Sequence, residues 1–279
     1  MRTGERVVEA NGVPLCLDTV GDPADPAILL VHGACAALLW WDRDLCERLA
    51  AGGRYVIRYD NRDTGRSISY PPGRPGYTLR DLAGDAIGLL DVLGIERAHV
   101  VGRSMAGAIA LILGVDHPDR VASLTFVGTT PGDDGLPPMS PGFLAATADP
   151  PDPADRPAVV RYIVALMRAY AGGSPHFDEP AVRAVAEHDV ARTANLAAAL
   201  TNHFLLDMSG PAAGGYADLT APALIVHGDR DPVYPLPHGC ALQAAIPDAE
   251  LLVLPDTGHD LPRPQHDRIV AALLRHTRR

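Results

Sequence analysis

Six short, almost wholly apolar runs constrain this chain most. They are AILLV (27–31), YVIRY (55–59), AHVV (98–101), VASLTFV (121–127), ALIV (223–226) and LLVL (251–254). Each is too short for a stable helix and too apolar for a strand with one wet face. Runs of this kind suit strands buried on both faces. Such strands need cover above and below, and helical patterns between them supply it. Residues 79–93 place Leu82, Ala86, Leu89, Leu90 and Leu93 at helical spacing, residues 105–113 are small and apolar on nearly every side, and residues 267–276 are amphipathic. Strands alternating with helices predict an α/β fold, a mostly parallel sheet flanked by helices. The start differs. Residues 7–9 and 15–19 flank Asn11-Gly12, a hairpin signal, so the sheet is expected to open with antiparallel strands.

One stretch breaks the rhythm. Residues 131–218 carry no clear strand: a Pro/Gly/Asp-rich segment (131–157) is followed by helical patterns at 159–170 and 180–206. Its apolar content is too high for a disordered linker. The expected organisation is a core in two parts, residues 1–130 and 219–279, with a helical insertion at 131–218 between them.

A chain of 279 residues can bury a sizeable core without disulfide or metal staples. Its net charge is −10 and all 24 basic residues are Arg, with no basic run. That balance argues against nucleic acid or an anionic membrane as a partner. No apolar run approaches the ~20 residues of a transmembrane helix, and the N-terminus has no apolar signal-peptide region. Cys16, Cys35, Cys46 and Cys240 match neither a CxxC pair nor a disulfide framework. A cytoplasmic protein with free thiols is expected, as monomer or homodimer.

The sharpest chemical feature is Gly102-Arg103-Ser104-Met105-Ala106-Gly107, where a buried strand meets a small-residue helix. A serine on so tight a turn presents its hydroxyl at the sheet's edge, and the helix start offers free N–H groups to an oxyanion. A serine hydroxyl needs a base. His259 follows the last apolar run, in a Gly-containing loop. An acid to orient it follows the preceding run: Asp231 is favoured over Asp229, because two further residues let the loop turn back. Asp229 is expected to cap the turn. After the 27–31 run, Gly33 would aim the Ala34 N–H at the reacting carbonyl, and Met105 N–H would be the second donor. His32 is expected to be a buried structural residue. No His spacing suits a metal and no Gly pattern suits a nucleotide, so neither metal nor cofactor is expected.

Together His32-Gly33, the DNRDTGRS loop at 60–67, the Ser104 turn, Gly228-x-x-Asp231 and Gly258-His259 resemble the α/β-hydrolase superfamily, in its order and over essentially the whole chain. Within it, YDNRDTGRS (59–67), RAHVVGRSM (97–105) and DRDPVYPLPHG (229–239) look close to the aclacinomycin methylesterases of polyketide-antibiotic pathways. The resemblance implies a core sheet, a helical cap and cofactor-free hydrolysis of carboxylic esters by Ser104, Asp231 and His259. Two positions depart from it: Ala106 replaces the usual Gly, and Ala34-Cys35 stand where small Gly-type residues are usual. A bulky small-molecule substrate would be a polyketide methyl ester or a macrolide lactone. Its pocket is expected to use Trp40, Trp41, Phe143, Met167, Tyr170, His203 and Phe204, with Met139, Tyr162, Phe177 and Met208 as further candidates. Arg103 would pair with an acid or touch substrate. Asp60, Arg62, Asp63 and Arg66 would brace their loop by mutual ion pairing. The same residues would also suit a cofactor-free perhydrolase or haloperoxidase, or a non-catalytic ligand receptor.

Overall fold

The computed structural model describes residues 4–278. The chain opens with the hairpin β1 (Arg6–Ala10) and β2 (Val13–Val20), paired antiparallel. Asn11 and Gly12 both take positive φ, 52° and 74°, as a twist-matched two-residue turn demands. Then follow β3 (Ala27–Val31), α1 (Arg43–Ala51), β4 (Tyr55–Tyr59), α2 (Leu79–Val92), β5 (Ala98–Arg103), α3 (Ala106–Asp116) and β6 (Val121–Val127). Helices α4 (Pro141–Thr147), α5 (Arg156–Tyr170), α6 (Glu179–Arg192) and α7 (Leu196–Thr201) come next, before β7 (Ala223–Gly228), α8 (Pro237–Ala245), β8 (Glu250–Leu254) and α9 (His266–His276).

The sheet has eight strands in the order β1-β2-β4-β3-β5-β6-β7-β8. Strands β3 to β8 are mutually parallel and β2 joins β4 antiparallel. The period of two sorts each central strand between two cores. In β3, Leu29 and Val31 face a core shared with α2 and α3, while Ile28 and Leu30 face one shared with α1 and α9. Helix α3 is apolar all round because it is wedged between α2 and the sheet. Strand β8 departs from the expectation of two buried faces. It is an edge strand with partners on one side only, and Val253 is exposed.

Between β6 and β7, α5, α6 and α7 build a small core of their own from Val159, Val160, Val164, Ala186, Val190 and Leu196. The Pro/Asp-rich composition finds its use at helix starts. Ser140, Asp155, Asp178 and Asn195 each accept a backbone N–H of the first turn, and Pro141, Pro157 and Pro180 occupy its opening positions. The pattern at 180–206 is two helices and a 3₁₀ turn rather than one helix. It breaks at residues 193–195, where Ala194 N–H donates to Gly65 O (3.0 Å) and Asn195 starts a new cap.

Candidate active site

Ser104 sits directly after β5 with φ 54°, a left-handed conformation that costs a non-glycine residue strain. Its N–H donates to Val127 O (2.9 Å) and its carbonyl accepts from Gly107 N–H (2.8 Å). The turn leaves no room for neighbours. A Cβ on Gly102 would lie 2.2 Å from Ala106 O, and one on Gly33 would lie 2.7 Å from Ser104 Cβ. Ala106, by contrast, carries its methyl into the core under α3, so alanine fits there.

β5, β6, β7 and β8 end on the same side, and each is followed by a site residue: Ser104, Gly128, Asp231 and His259. His259 Nδ1 meets Asp231 Oδ2 at 2.7 Å, and both side chains are buried. The other carboxylate oxygen accepts from Val233 N–H (2.8 Å) and Tyr234 N–H (2.9 Å). Burial pushes the Asp231 carboxyl up; the charge and hydrogen bond of His259 and the Tyr234 N–H outweigh it, leaving the carboxyl below its ordinary value. Because a carboxylate only accepts, His259 carries its proton on Nδ1 and leaves Nε2 free as a base. Gly128 links the two halves of the site. A Cβ on it would lie 3.2 Å from His259 Nδ1, and the carbonyl just before it holds the Ser104 N–H. The Tyr170 ring stacks on the imidazole at 5.1 Å and 23°, and Tyr170 O accepts the His259 N–H at 2.7 Å. Tyr234 meets the imidazole edge-on at 5.8 Å.

The loop after β3 turns at Cys35, φ 62°, which explains why a Gly-type residue is usual there. Gly33 N–H donates to His32 Nδ1 (2.8 Å) and Cys35 N–H to His203 Nδ1 (2.8 Å). Between them, the Ala34 N–H has no acceptor among the described residues, and neither has that of Met105. Two free N–H groups therefore flank the serine. Burial pushes the Cys35 thiol up to about 12, so it stays protonated.

Other expected residues lie elsewhere. His203 is not a pocket wall but a buried strut, tied to Cys35 N–H and, through Nε2, to Arg62 O (2.7 Å). Trp41, 1% exposed, packs its ring on His32 and offers no surface to a ligand, while Phe204 is 70% exposed. Met139 and Met208 are exposed as well. Phe143 backs the Tyr170 ring at 4.8 Å. Trp40, Met167 and Phe177 line a neighbouring cavity. Tyr162 is half-buried. His32 is buried, and burial holds its imidazole well below the ordinary value. Asp229 reaches across to Thr257 N–H (3.3 Å) rather than capping its own turn.

The 60–67 loop is not braced by its own charges. Arg62 forms a forked pair with Asp85 of α2 (2.7 Å twice), Arg66 meets Glu5, and Asp60 takes Arg192 of α6 (2.7 Å). Asp63 accepts from Tyr77 and Asn202. Neighbours along a tight loop point in different directions, so each finds a partner on a different element. Among the described residues, no group of three or more His, Cys, Asp or Glu side chains is arranged to hold a metal ion. No helix there is long and apolar enough to cross a membrane.

A parallel sheet carrying a serine elbow, with a His–Asp pair past its later strands, defines a class, and the sequence agrees: residues 26–262 match the alpha/beta hydrolase fold family, to which this chain belongs. Its relatives include the rhodomycin D methylesterase DauP of Streptomyces sp. (strain C5), 31% identical over 98% of both chains. DnrP of Streptomyces peucetius, also a rhodomycin D methylesterase, is 30% identical over 98% of both. Among solved structures, the esterase EaEST from Exiguobacterium antarcticum superposes with a TM-score of 0.79 at 21% identity, covering 100% of both chains.

Proposed function

We propose that this chain hydrolyses carboxylic esters through a Ser104–His259–Asp231 triad. The observation that carries the proposal is the buried His259–Asp231 hydrogen bond at 2.7 Å at the same sheet edge as the strained Ser104 turn. His259 Nε2 takes the hydroxyl proton as Ser104 Oγ attacks the ester carbonyl. The N–H groups of Ala34 and Met105 receive the oxyanion. His259 then gives the proton to the leaving alcohol, and the acyl group stays on Ser104. Water, deprotonated by His259, attacks that acyl-enzyme and releases the acid. Asp231 holds the tautomer throughout.

The 131–218 insertion acts as a cap over this site. Tyr170, the last residue of α5, already touches His259 by ring and backbone. The two full-length relatives are named methylesterases of rhodomycin D, which favours a methyl ester on a bulky polyketide as substrate.

The test is intact-protein mass after a fluorophosphonate, on wild type and Ser104→Ala. One adduct on wild type and none on the variant is expected, with turnover falling on the order of 10⁶-fold. Full turnover by Ser104→Ala overturns the mechanism. Polyketide methyl esters are then screened for methanol release.

A further inference from the structure

The segment between β3 and α1 turns beside Ser104. A Cβ on Gly33 would lie 3.3 Å from Ser104 Oγ, so the peptide that leads on to the free Ala34 N–H starts against the serine hydroxyl. The peptides on either side of it are each held by an imidazole. Gly33 N–H donates to Nδ1 of His32, and Cys35 N–H donates to Nδ1 of His203, both at 2.8 Å. His32 belongs to the segment itself, whereas His203 comes from the helical insertion. Cys35 sits at φ 62°, a strained conformation for a residue other than glycine, which persists only where surrounding contacts fix it.

His203 is itself held from several sides. It is buried, and its Nε2 meets Arg62 O at 2.7 Å. Because Nδ1 accepts, Nε2 carries the proton and donates, so both ring nitrogens have fixed roles. Arg62 is forked onto Asp85, and the Tyr77 ring meets the imidazole edge-on at 6.4 Å. The preceding residue, Asn202, is fully buried. It donates to Asp63 Oδ2 (2.9 Å) and accepts from Gly73 N–H (2.7 Å). A side chain locked in this way can fix the position of the atom it touches.

We propose, resting on the ester-hydrolase reading above, that His203 is a positioning residue: by holding the Cys35 N–H it aims the neighbouring Ala34 N–H at the oxyanion. The helical insertion then completes a hole that the core begins. Acylation and deacylation both pass through an oxyanion, so a misdirected donor slows both steps and leaves KM nearly unchanged.

Two substitutions separate the ring nitrogens. His203→Asn puts an amide oxygen near the place of Nδ1 and removes the Nε2 donor. His203→Gln puts an amide N–H near the place of Nε2 and removes the Nδ1 acceptor. With p-nitrophenyl acetate, His203→Gln is expected to lower kcat about 10–100-fold while KM stays within about threefold. His203→Asn is expected to stay within about threefold of wild type in both. His203→Phe, a ring without an acceptor, takes the place of His203→Gln if that variant does not fold. Tm is recorded for each, and all are assayed well below the lowest. Three results overturn the proposal: wild-type kcat in His203→Gln, a loss in His203→Asn as large as in His203→Gln, or a loss carried by KM alone. A wild type that neither turns over the ester nor takes a fluorophosphonate overturns the triad reading and this role with it. With a reactive wild type, each of the three results counts against His203 alone.

Discussion

At the residue scale, the site depends on contacts that no motif lists. Tyr170 touches His259 twice, through its carbonyl and through its ring. Only the ring contact changes on substitution, so the two can be separated. Tyr170→Phe keeps the stack and should retain near-wild-type kcat. Tyr170→Ala keeps the backbone bond but frees the imidazole, and should lower kcat about 3–10-fold, the worth of one aromatic pair. Rescue by Phe is the decisive comparison; equal losses in both variants would mean that the hydroxyl, not the stack, matters. Gly128 and Gly33 are further residues of this kind, because a side chain at either would press on the His–Asp pair or on Ser104.

At the element scale, α6 is fastened to the core by its last residue. Arg192 reaches both Asp60 of the 60–67 loop and Glu5 ahead of β1, each at 2.7 Å. Asp60 is fully buried and also holds Leu38 N–H (2.8 Å), which begins the turn carrying Trp40. Removing the arginine leaves a buried carboxylate without its cation, a change that costs about 3 kcal/mol or more. Arg192→Met should therefore lower Tm by several degrees, read by calorimetry, whereas the exposed Arg275→Met should hardly move it. An unchanged Tm for Arg192→Met would show that backbone N–H donors suffice for Asp60.

At the scale of the whole molecule, buried histidines set the response to acid. Burial lowers His32, His203 and His227 below their ordinary values, and His99 to about 4. Each prefers to be neutral when folded, so the unfolded chain takes up protons first as the pH drops below ~6.5. Stability from these groups is full above that value and declines below it. Asp189 and Asp260, whose carboxyls burial pushes up, act in the opposite sense and only soften the slope. Tm should fall by about 5 °C or more between pH 7 and pH 5, at a fixed scan rate. A flat Tm over that range would contradict neutral burial of these imidazoles.

The strands, and the two buried faces of all but the edge strand β8, were legible in the chain because a short run with few polar residues is a local property. All six apolar runs are strands, and Asn11-Gly12 turns the separate hairpin of β1 and β2. The gathering of Ser104, Asp231 and His259 was legible for a related reason: in a parallel sheet, whatever follows each strand arrives at one edge. What the tertiary structure alone decided is which distant side chains share that edge. His203 looks like a pocket residue in a helical stretch and is a strut for the loop after β3, 168 residues away. The charged 60–67 loop looks self-sufficient and is a hub for other elements. Local pattern follows from steric and solvation preferences of neighbours along the chain, whereas these pairings depend on how helices seat on the sheet, a matter of packing between residues far apart in sequence.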